Sequence, residues 1–409
     1  MILVDISSIL HRMIFGSTKD ASNIRKKDGK YITEDFVFLT MHYILSELVD
    51  IQTKYRGYGE MVICFDDYKK AYWRRDSYPE YKASRRDKSG KDENPINYQE
   101  LFEYTNKLFE EIKNNTPWKC IYVSRAEADD IILVLAKEYH QEGILILSPD
   151  KDFLQAQRLP GVKQYSALTR KWLVPENKHD NMQQWIMEHV LLGDASDGVP
   201  KIVDHTEFSD AFKEHILKSG FPENVLEVYE FKKLPIQDKR KILENYDVKK
   251  YNRKGQDIGF DIFKDMRFGA SNIEKIISGK WSLKIKQDNL KDKIKLEQDK
   301  DKKKLLRAEL KNLTIDEKTE KERLDEFLDS HPLYKEHYNR NFEMVMEEGI
   351  PDYIRANILM EYKSANVSYN QDEFNKFLDE NKLHTIKSKL PLVFSPTETI
   401  TTTNCGWDF

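Results

Sequence analysis

Cysteine is scarce in this chain, with three in 409 residues: Cys64, Cys120 and Cys405. An odd number with no CxxC spacing argues against a disulfide framework and a thiolate metal site. Cys64 and Cys120 fall in apolar, strand-like runs and read as free buried thiols of a reducing compartment. Long apolar runs are also missing. No stretch approaches the length of a membrane span, and MILVDISSIL, interrupted by Asp5, is too short for a signal-peptide core. A cytoplasmic protein without a membrane partner is therefore expected. Internal repeats are absent, and no cluster of His and Cys offers a zinc site. Net charge is small, 66 Lys and Arg against 70 Asp and Glu for a formal −4. The length suffices for one elaborated domain or two ordinary ones.

Acid at particular places is what the chain does have. Nine carboxylates fall in five short clusters of the first half, each where a strand ends or a helix begins. They are Asp5 in MILVDIS, Asp66 in MVICFDD, Glu127, Asp129 and Asp130 in RAEADDII, Asp150 and Asp152 in ILILSPDKDF, and Asp194 and Asp197 in LLGDASDGVP. So many acids converging on one cleft repel one another unless cations hold them. Oxygen donors without His or Cys favour magnesium or manganese over zinc. Setting the nine aside turns the formal charge of −4 into +5, a mild cationic excess that suits a nucleic-acid partner. Each cluster also has a plainer reading: Asp129 and Asp130 compensate a helix N-terminus, while Asp194 and Asp197 cap turns.

The first 200 residues alternate apolar β-type runs (MILVD, MVICFD, KCIYV, ILILS, VKQYS) with helical patterns such as Asp35 to Tyr55 and Ala128 to Tyr139. That alternation predicts an α/β fold with a mostly parallel central sheet flanked by helices, followed by a helical C-terminal region. Open parallel sheets bind ligands beyond the carboxyl ends of their strands, where Asp5, Asp66 and Asp150 stand. Residues 68–97 read as a basic, aromatic loop, and residues 281–329 as a charged amphipathic helix or helical hairpin with a capping-box signal at Thr314 and Glu317. The Ser/Thr-rich end closes on Trp407, Asp408 and Phe409.

The order of these motifs resembles the structure-specific 5' nuclease superfamily, the flap endonucleases and 5'-3' exonucleases of phages and bacterial polymerases. AEADDII, SPDKDF and GDASDG, with YWRRDSYPEYKASR upstream, carry the resemblance as a set. It implies a metal-dependent nuclease core over residues 1–205 with an arch loop at 68–97. A helical duplex-binding region follows over 206–383, with the charged insertion 281–329, and then a flexible tail over 384–409. It further implies that Asp5, Asp66, Glu127, Asp129 and Asp150 surround one Mg2+, that Asp152, Asp194 and Asp197 lie toward a second, and that Asp130 belongs to the same patch; Mn2+ substitutes. Two such ions stabilise attacking and leaving oxygens without a general-base histidine.

In the loop, Lys82 and Arg85 match the catalytic cations of the family, and Arg74 and Tyr81 its nucleic-acid contacts. Lys82 and Arg85, three apart, share one face of a helical turn, and Tyr81 is expected to stack on a terminal base. The family's glycine-rich hairpin, with its K+ site, departs here. Lys201 follows GDASDG, but some sixty divergent residues pass before FGASNIEKII, where Gly269, Ser271 and Lys275 restore a phosphate-facing helix start. The K+ site thereby loses its sequence basis. The implied partners are branched or nicked duplex DNA and RNA/DNA hybrids, with a sliding clamp and a single-stranded-DNA-binding protein beside them, acting on a monomer in a host cytoplasm. A PIN-like ribonuclease and a non-catalytic branched-DNA binder are the alternatives. The first is typically shorter and lacks GDASDG; the second requires a lost ligand, and none is missing.

Overall fold

A computed structural model of the chain describes residues 1–12, 26–27, 30–31, 34–83, 98–175, 182–202, 275–276, 278–315, 318–329, 332–365 and 369–394. It divides into two compact units, residues 1–182 with 346–409, and residues 183–345.

The first unit is built on a six-stranded sheet. Strands β1 (Ile2–Asp5), β2 (Met61–Phe65), β3 (Lys119–Tyr122), β4 (Ile144–Leu147), β5 (Val162–Ser166) and β6 (Lys171–Leu173) are arranged in the order β3-β2-β1-β4-β5-β6. All pairs are parallel except the β5–β6 hairpin. The central strands ILVD and ILIL are buried along their whole length, as strands covered on both faces must be. All five apolar runs read from the sequence are strands; β6, a short edge strand, is the addition. In register, Asp5 stands beside Cys64, and Val4 beside Leu147, so the ends of β1, β2 and β4 lie at one edge of the sheet.

Helix α1 (Glu34–Lys54), α2 (Tyr98–Asn115) and α3 (Ala128–Tyr139) cover the sheet. Ile44, Leu45 and Leu48 of α1, and Leu108 and Ile112 of α2, join Ile2, Val4 and Ile63 in one core. The end of the chain returns to this unit. Helix Asp352–Ser364 packs on α3 and β3, and Gln371–Glu380 packs on α2. Residues expected to open a flexible tail instead form helices His384–Lys387 and Leu390–Phe394, whose Ile386, Leu390 and Val393 enter the same core. The apolar residues of HTIKSKLPLVF, upstream of the Ser/Thr-rich stretch, account for this burial. Trp407, Asp408 and Phe409 lie outside the described residues.

Buried Glu347 ties this return in place, ion-paired with Lys137 at 2.9 Å, Arg158 at 3.3 Å and Arg355, while its backbone N–H donates to Gln155 at 2.8 Å. Three cations on one carboxylate satisfy a charge that burial alone would make costly.

The second unit has its own small core of Met187, Leu191, Ile202, Ile276, Leu324, Phe327, Leu328 and Tyr334. Its charged segment forms helices Lys280–Leu296 and Lys300–Asn312, followed by Glu320–Asp329. The restart is capped by Thr319 and Glu322, not by Thr314. Thr319 N–H donates to Glu322 at 2.7 Å, and Glu322 N–H to Thr319 Oγ1 at 3.3 Å. Glu317 lies outside the described residues. No described helix is long and apolar enough to cross a membrane.

Candidate metal centre at the sheet edge

Four carboxylates of the first unit share one electrostatic field. Asp5 ends β1, Asp66 follows β2, Asp129 lies in the first turn of α3 and Asp150 follows β4. Asp5 is 7% exposed; its Oδ1 accepts from Ser8 N–H at 3.1 Å and its Oδ2 from Ser148 Oγ at 2.9 Å. Burial, reinforced by the charges of Asp66 and Asp150, lifts its carboxyl to about 6 against those hydrogen bonds. Burial likewise pushes the half-buried Asp129 well above the carboxylate range, with Asp5, Asp150 and Glu127 adding to it and Lys82 opposing. Asp66 is oriented by Ser7 Oγ at 2.7 Å and by Ala128 N–H, at the start of α3, at 2.8 Å.

The chemistry of this donor set fits a hard divalent cation: four carboxylates, mutually repelling, supplied by three strand ends and one helix start. Among the described residues, no group of three or more Asp, Glu, His or Cys side chains is arranged to hold an ion as it stands. Asp5 and Asp66 are each turned onto serine and backbone donors.

Glu127 and Asp130, at the start of α3, are engaged by the loop. Glu127 caps α3 in a reciprocal box with Asp130, whose Oδ2 accepts from Glu127 N–H at 2.9 Å. Both are buried. Glu127 accepts from Tyr81 OH at 2.7 Å and Arg74 Nη1 at 3.2 Å and pairs with Lys82 Nζ. Asp130 accepts from Trp73 Nε1 at 3.0 Å and pairs with Arg74 Nη2 at 2.8 Å. Their oxygens are thus committed to the loop, and the physical role is to pin residues 73–82 to the start of α3.

The loop residues differ from expectation for the same reason. Arg74 and Tyr81, read as nucleic-acid contacts, are 4% and 3% exposed, so neither offers a free guanidinium or ring face to a base. Lys82 is buried on Glu127 between the rings of Tyr72 and Tyr81. Its φ of +55° takes it out of a regular helix, so the shared helical face proposed with Arg85 does not begin at Lys82. Arg85 lies outside the described residues.

Asp152 sits in the turn after Asp150 and donates its N–H to Asp150 Oδ1 at 3.0 Å. Asp194 and Asp197 belong to the second unit. Asp194 caps its own turn, accepting from Ser196 N–H at 2.8 Å and Ser196 Oγ at 3.1 Å, while its carbonyl accepts from Val199 N–H at 2.8 Å. Gly193 is required before it. Its φ is +62°, and a Cβ there would lie 2.4 Å from the Pro200 carbonyl oxygen. Lys201 and Lys275 are exposed in that unit; Gly269 and Ser271 lie outside the described residues.

Sequence reasoning passed over several residues. Asp67 is buried and accepts from Tyr122 OH at 2.7 Å and from the N–H groups of Lys69 and Arg125, which hold its carboxyl below the usual range although burial pushes the other way. Gln164 Nε2 donates to the Ser148 carbonyl at 2.9 Å, steadying the loop that carries Asp150. A glutamine at the centre of the strand-like run VKQYS was its signal. Ser7 and Ser148 carried none.

A mostly parallel α/β sheet thus gathers carboxylates at the ends of its strands. Residues 1–185 match the family of the 5'-3' exonuclease N-terminal resolvase-like domain. In that segment the chain is similar to 5'-3' exonucleases. Ribonuclease H of Enterobacteria phage T4 is 35% identical over 159 residues, which are 38% of this chain and 51% of the relative. The chain thus spans about half the length of that curated relative. Among solved structures, T5 5'-exonuclease with bound zinc is 19% identical, covering 65% of this chain and 97% of that one at a TM-score of 0.38. The T5 D15 flap endonuclease complex with DNA and metal ions is 19% identical, covering 49% and 69% at 0.35.

The raised Asp5 gives a pH prediction. A carboxyl whose folded pKa is about 6 against 3.8 ordinarily binds its proton more tightly in the folded state. Folding stability from this group therefore falls as pH rises from about 4 to 6, and the full penalty stands at pH 7. In EDTA at pH 7, Asp5→Asn is expected to be more stable than wild type by on the order of 2–3 kcal/mol, from roughly two pKa units at 1.36 kcal/mol each. That advantage should vanish near pH 4 and be reversed by millimolar Mg2+. Urea titrations at the two pH values decide it, and equal stabilities at pH 7 would refute the crowding of charge described above.

Proposed function

We propose that the chain is a divalent-metal-dependent 5' nuclease. It hydrolyses phosphodiester bonds at 5' ends of RNA or DNA on duplex substrates, as a 5'-3' exonuclease and flap endonuclease that removes RNA primers and flaps in phage-type replication. The observation that carries this reading is the common field of Asp5, Asp66, Asp129 and Asp150 at one sheet edge. These four would hold Mg2+, or Mn2+ in its place. Bound divalent ions supply a hydroxide at neutral pH and neutralise charge on the attacking and leaving oxygens.

The chain's own side chains prepare that site. Ser148 and the Ser8 N–H fix the Asp5 oxygens, while Ser7 and the Ala128 N–H fix those of Asp66. Arg74 and Lys82 neutralise Glu127 beneath the loop, and Lys82 also lowers the repulsion felt by Asp129. Lys82 is thus a positioning residue in this arrangement.

Incubation with 5'-labelled flap, nicked and RNA-primed duplexes in Mg2+, Mn2+ or EDTA tests the reading. Short products bearing 5' phosphates, formed with either metal and abolished by EDTA, are expected. No hydrolysis of any of the three substrates with both metals would end it.

A sliding-clamp contact through Trp407 and Phe409 is part of the same proposal, since two aromatics closing a polar segment suit a partner's pocket. Truncation after Thr403 should leave cleavage unchanged and weaken clamp binding at least tenfold by surface resonance. Unaltered clamp affinity would remove this partner.

A further inference from the structure

Beyond Leu147, the last residue of β4, the chain turns through residues 148–152 into the 3-10 helix Lys151–Arg158. Three alternate carbonyls of this turn, those of Ser148, Asp150 and Asp152, each accept from the amide of a buried glutamine. Gln164 lies in β5 beside Ile146, and its Nε2 donates to the Ser148 carbonyl at 2.9 Å and to the Asp150 carbonyl at 2.5 Å. An amide nitrogen carries two hydrogens, so one side chain can hold both. Its Oε1 has no hydrogen-bond partner among the described residues, so both of its bonds serve the turn.

Gln155 grips the same turn at its far end. Its Nε2 donates to the Asp152 carbonyl at 2.9 Å, and its Oε1 accepts from Glu347 N–H at 2.8 Å. That N–H belongs to the residue whose carboxylate is ion-paired with Lys137, Arg158 and Arg355, so the second grip has a fixed anchor. What the two grips hold reaches the acids directly. Asp152 N–H donates to Asp150 Oδ1 at 3.0 Å. The Ser148 hydroxyl accepts from Asp150 N–H at 3.2 Å and donates to Asp5 Oδ2 at 2.9 Å, which links the backbone of one acid to the carboxylate of another.

Resting on the nuclease reading, we propose that Gln164 and Gln155 are positioning residues of the metal centre. By fixing three carbonyls of one turn they hold Asp150 in place relative to Asp5, so that a divalent ion need not order the turn itself. Asp150 and Lys151 are exposed, and an exposed turn without such grips loses conformational freedom when an ion gathers it, which weakens binding. The plainer account is that the glutamines only satisfy backbone carbonyls. It predicts lower folding stability with ion affinity unchanged.

Calorimetric titration of the full chain with Mn2+, without substrate and well below the unfolding midpoint, separates the two. Gln164→Met and Gln155→Met keep side-chain length and lack the donor. Each should weaken Mn2+ binding about tenfold to a hundredfold, the usual span for groups that orient a metal ligand. Cleavage should need correspondingly more metal and recover as Mn2+ is raised, which a misfolded variant could not do. Gln52→Met is the control, replacing a buried glutamine whose Nε2 donates to the Gly59 carbonyl at 3.3 Å, ahead of β2 at the opposite edge of the sheet. Its Mn2+ affinity should match wild type. Either turn variant decides the matter if the other fails to fold. Unchanged affinity in a folded turn variant, or an equal loss in Gln52→Met, overturns the inference, and wild-type cleavage would then leave the nuclease reading standing. Weakened Mn2+ binding in the turn variants of a chain that cleaves none of the flap, nicked or RNA-primed duplexes would uphold the positioning role and sink the nuclease reading instead.

Discussion

Asp129→Asn is expected to abolish hydrolysis, a loss of roughly three orders of magnitude or more, because a ligand to a catalytic cation carries several kcal/mol of transition-state stabilisation. Asp150→Asn should behave alike. Binding of a flap substrate in EDTA should remain within a few-fold of wild type, since removing negative charge from the cleft does not repel a polyanion. The competing account has Asp129 merely compensating the N-terminus of the helix it opens. That account predicts a small stability loss with cleavage intact, because helix-dipole contributions amount to about 0.3–1 kcal/mol. The metal account predicts the opposite pair: cleavage lost and apo-stability raised, since burial and Asp5 disfavour the charged form of Asp129. Single-turnover cleavage and EDTA denaturation on one preparation separate the two, and normal turnover in the Asn variant would eliminate Asp129 as a ligand.

The parts of this fold that were legible in the sequence are those governed by local rules. β-Branched runs such as ILVD and ILIL are long enough only for strands, and the acids closing them had to stand at the carboxyl edge. The helix over Ala128–Tyr139 was readable from its period and its acidic first turn. What escaped is long-range. Nothing in RAEADDII says that Glu127 will be claimed by Lys82, 45 residues earlier, or Asp130 by Trp73, 57 residues earlier. The engagement of Glu127 and Asp130 by the loop is set by those distant partners.

The return of residues 346–394 to the first unit was equally hidden. An amphipathic stripe such as Phe374 and Leu378 announces that a helix will be buried, but not against which partner. Gly193 is an intermediate case: a glycine before an acidic turn is visible, whereas the Pro200 carbonyl that forbids a side chain there is not.

The second large effect concerns stability. Arg74 lies 4% exposed between two carboxylates that are 2% and 0% exposed, Glu127 and Asp130. Its guanidinium reaches both, at 3.2 and 2.8 Å, with its centre 4.6 Å from the Trp73 ring centroid. Removing one member of a buried ionic cluster leaves the others uncompensated, which typically costs about 3–5 kcal/mol. Arg74→Ala should therefore lower unfolding stability by about that amount and loosen the loop that carries Lys82. Arg74→Lys should recover only part of it, because a point charge cannot span two carboxylates as a planar fork does. Asp130→Asn in the Arg74→Ala background should restore some stability, since it removes one of the two stranded charges. Cleavage measured well below the melting temperature should fall in Arg74→Ala even where the protein is folded, because Glu127 and the start of the helix bearing Asp129 lose their tether. A loss of under about 1 kcal/mol, the range of a solvent-exposed pair, would show that Arg74 is not the buried keystone its contacts describe.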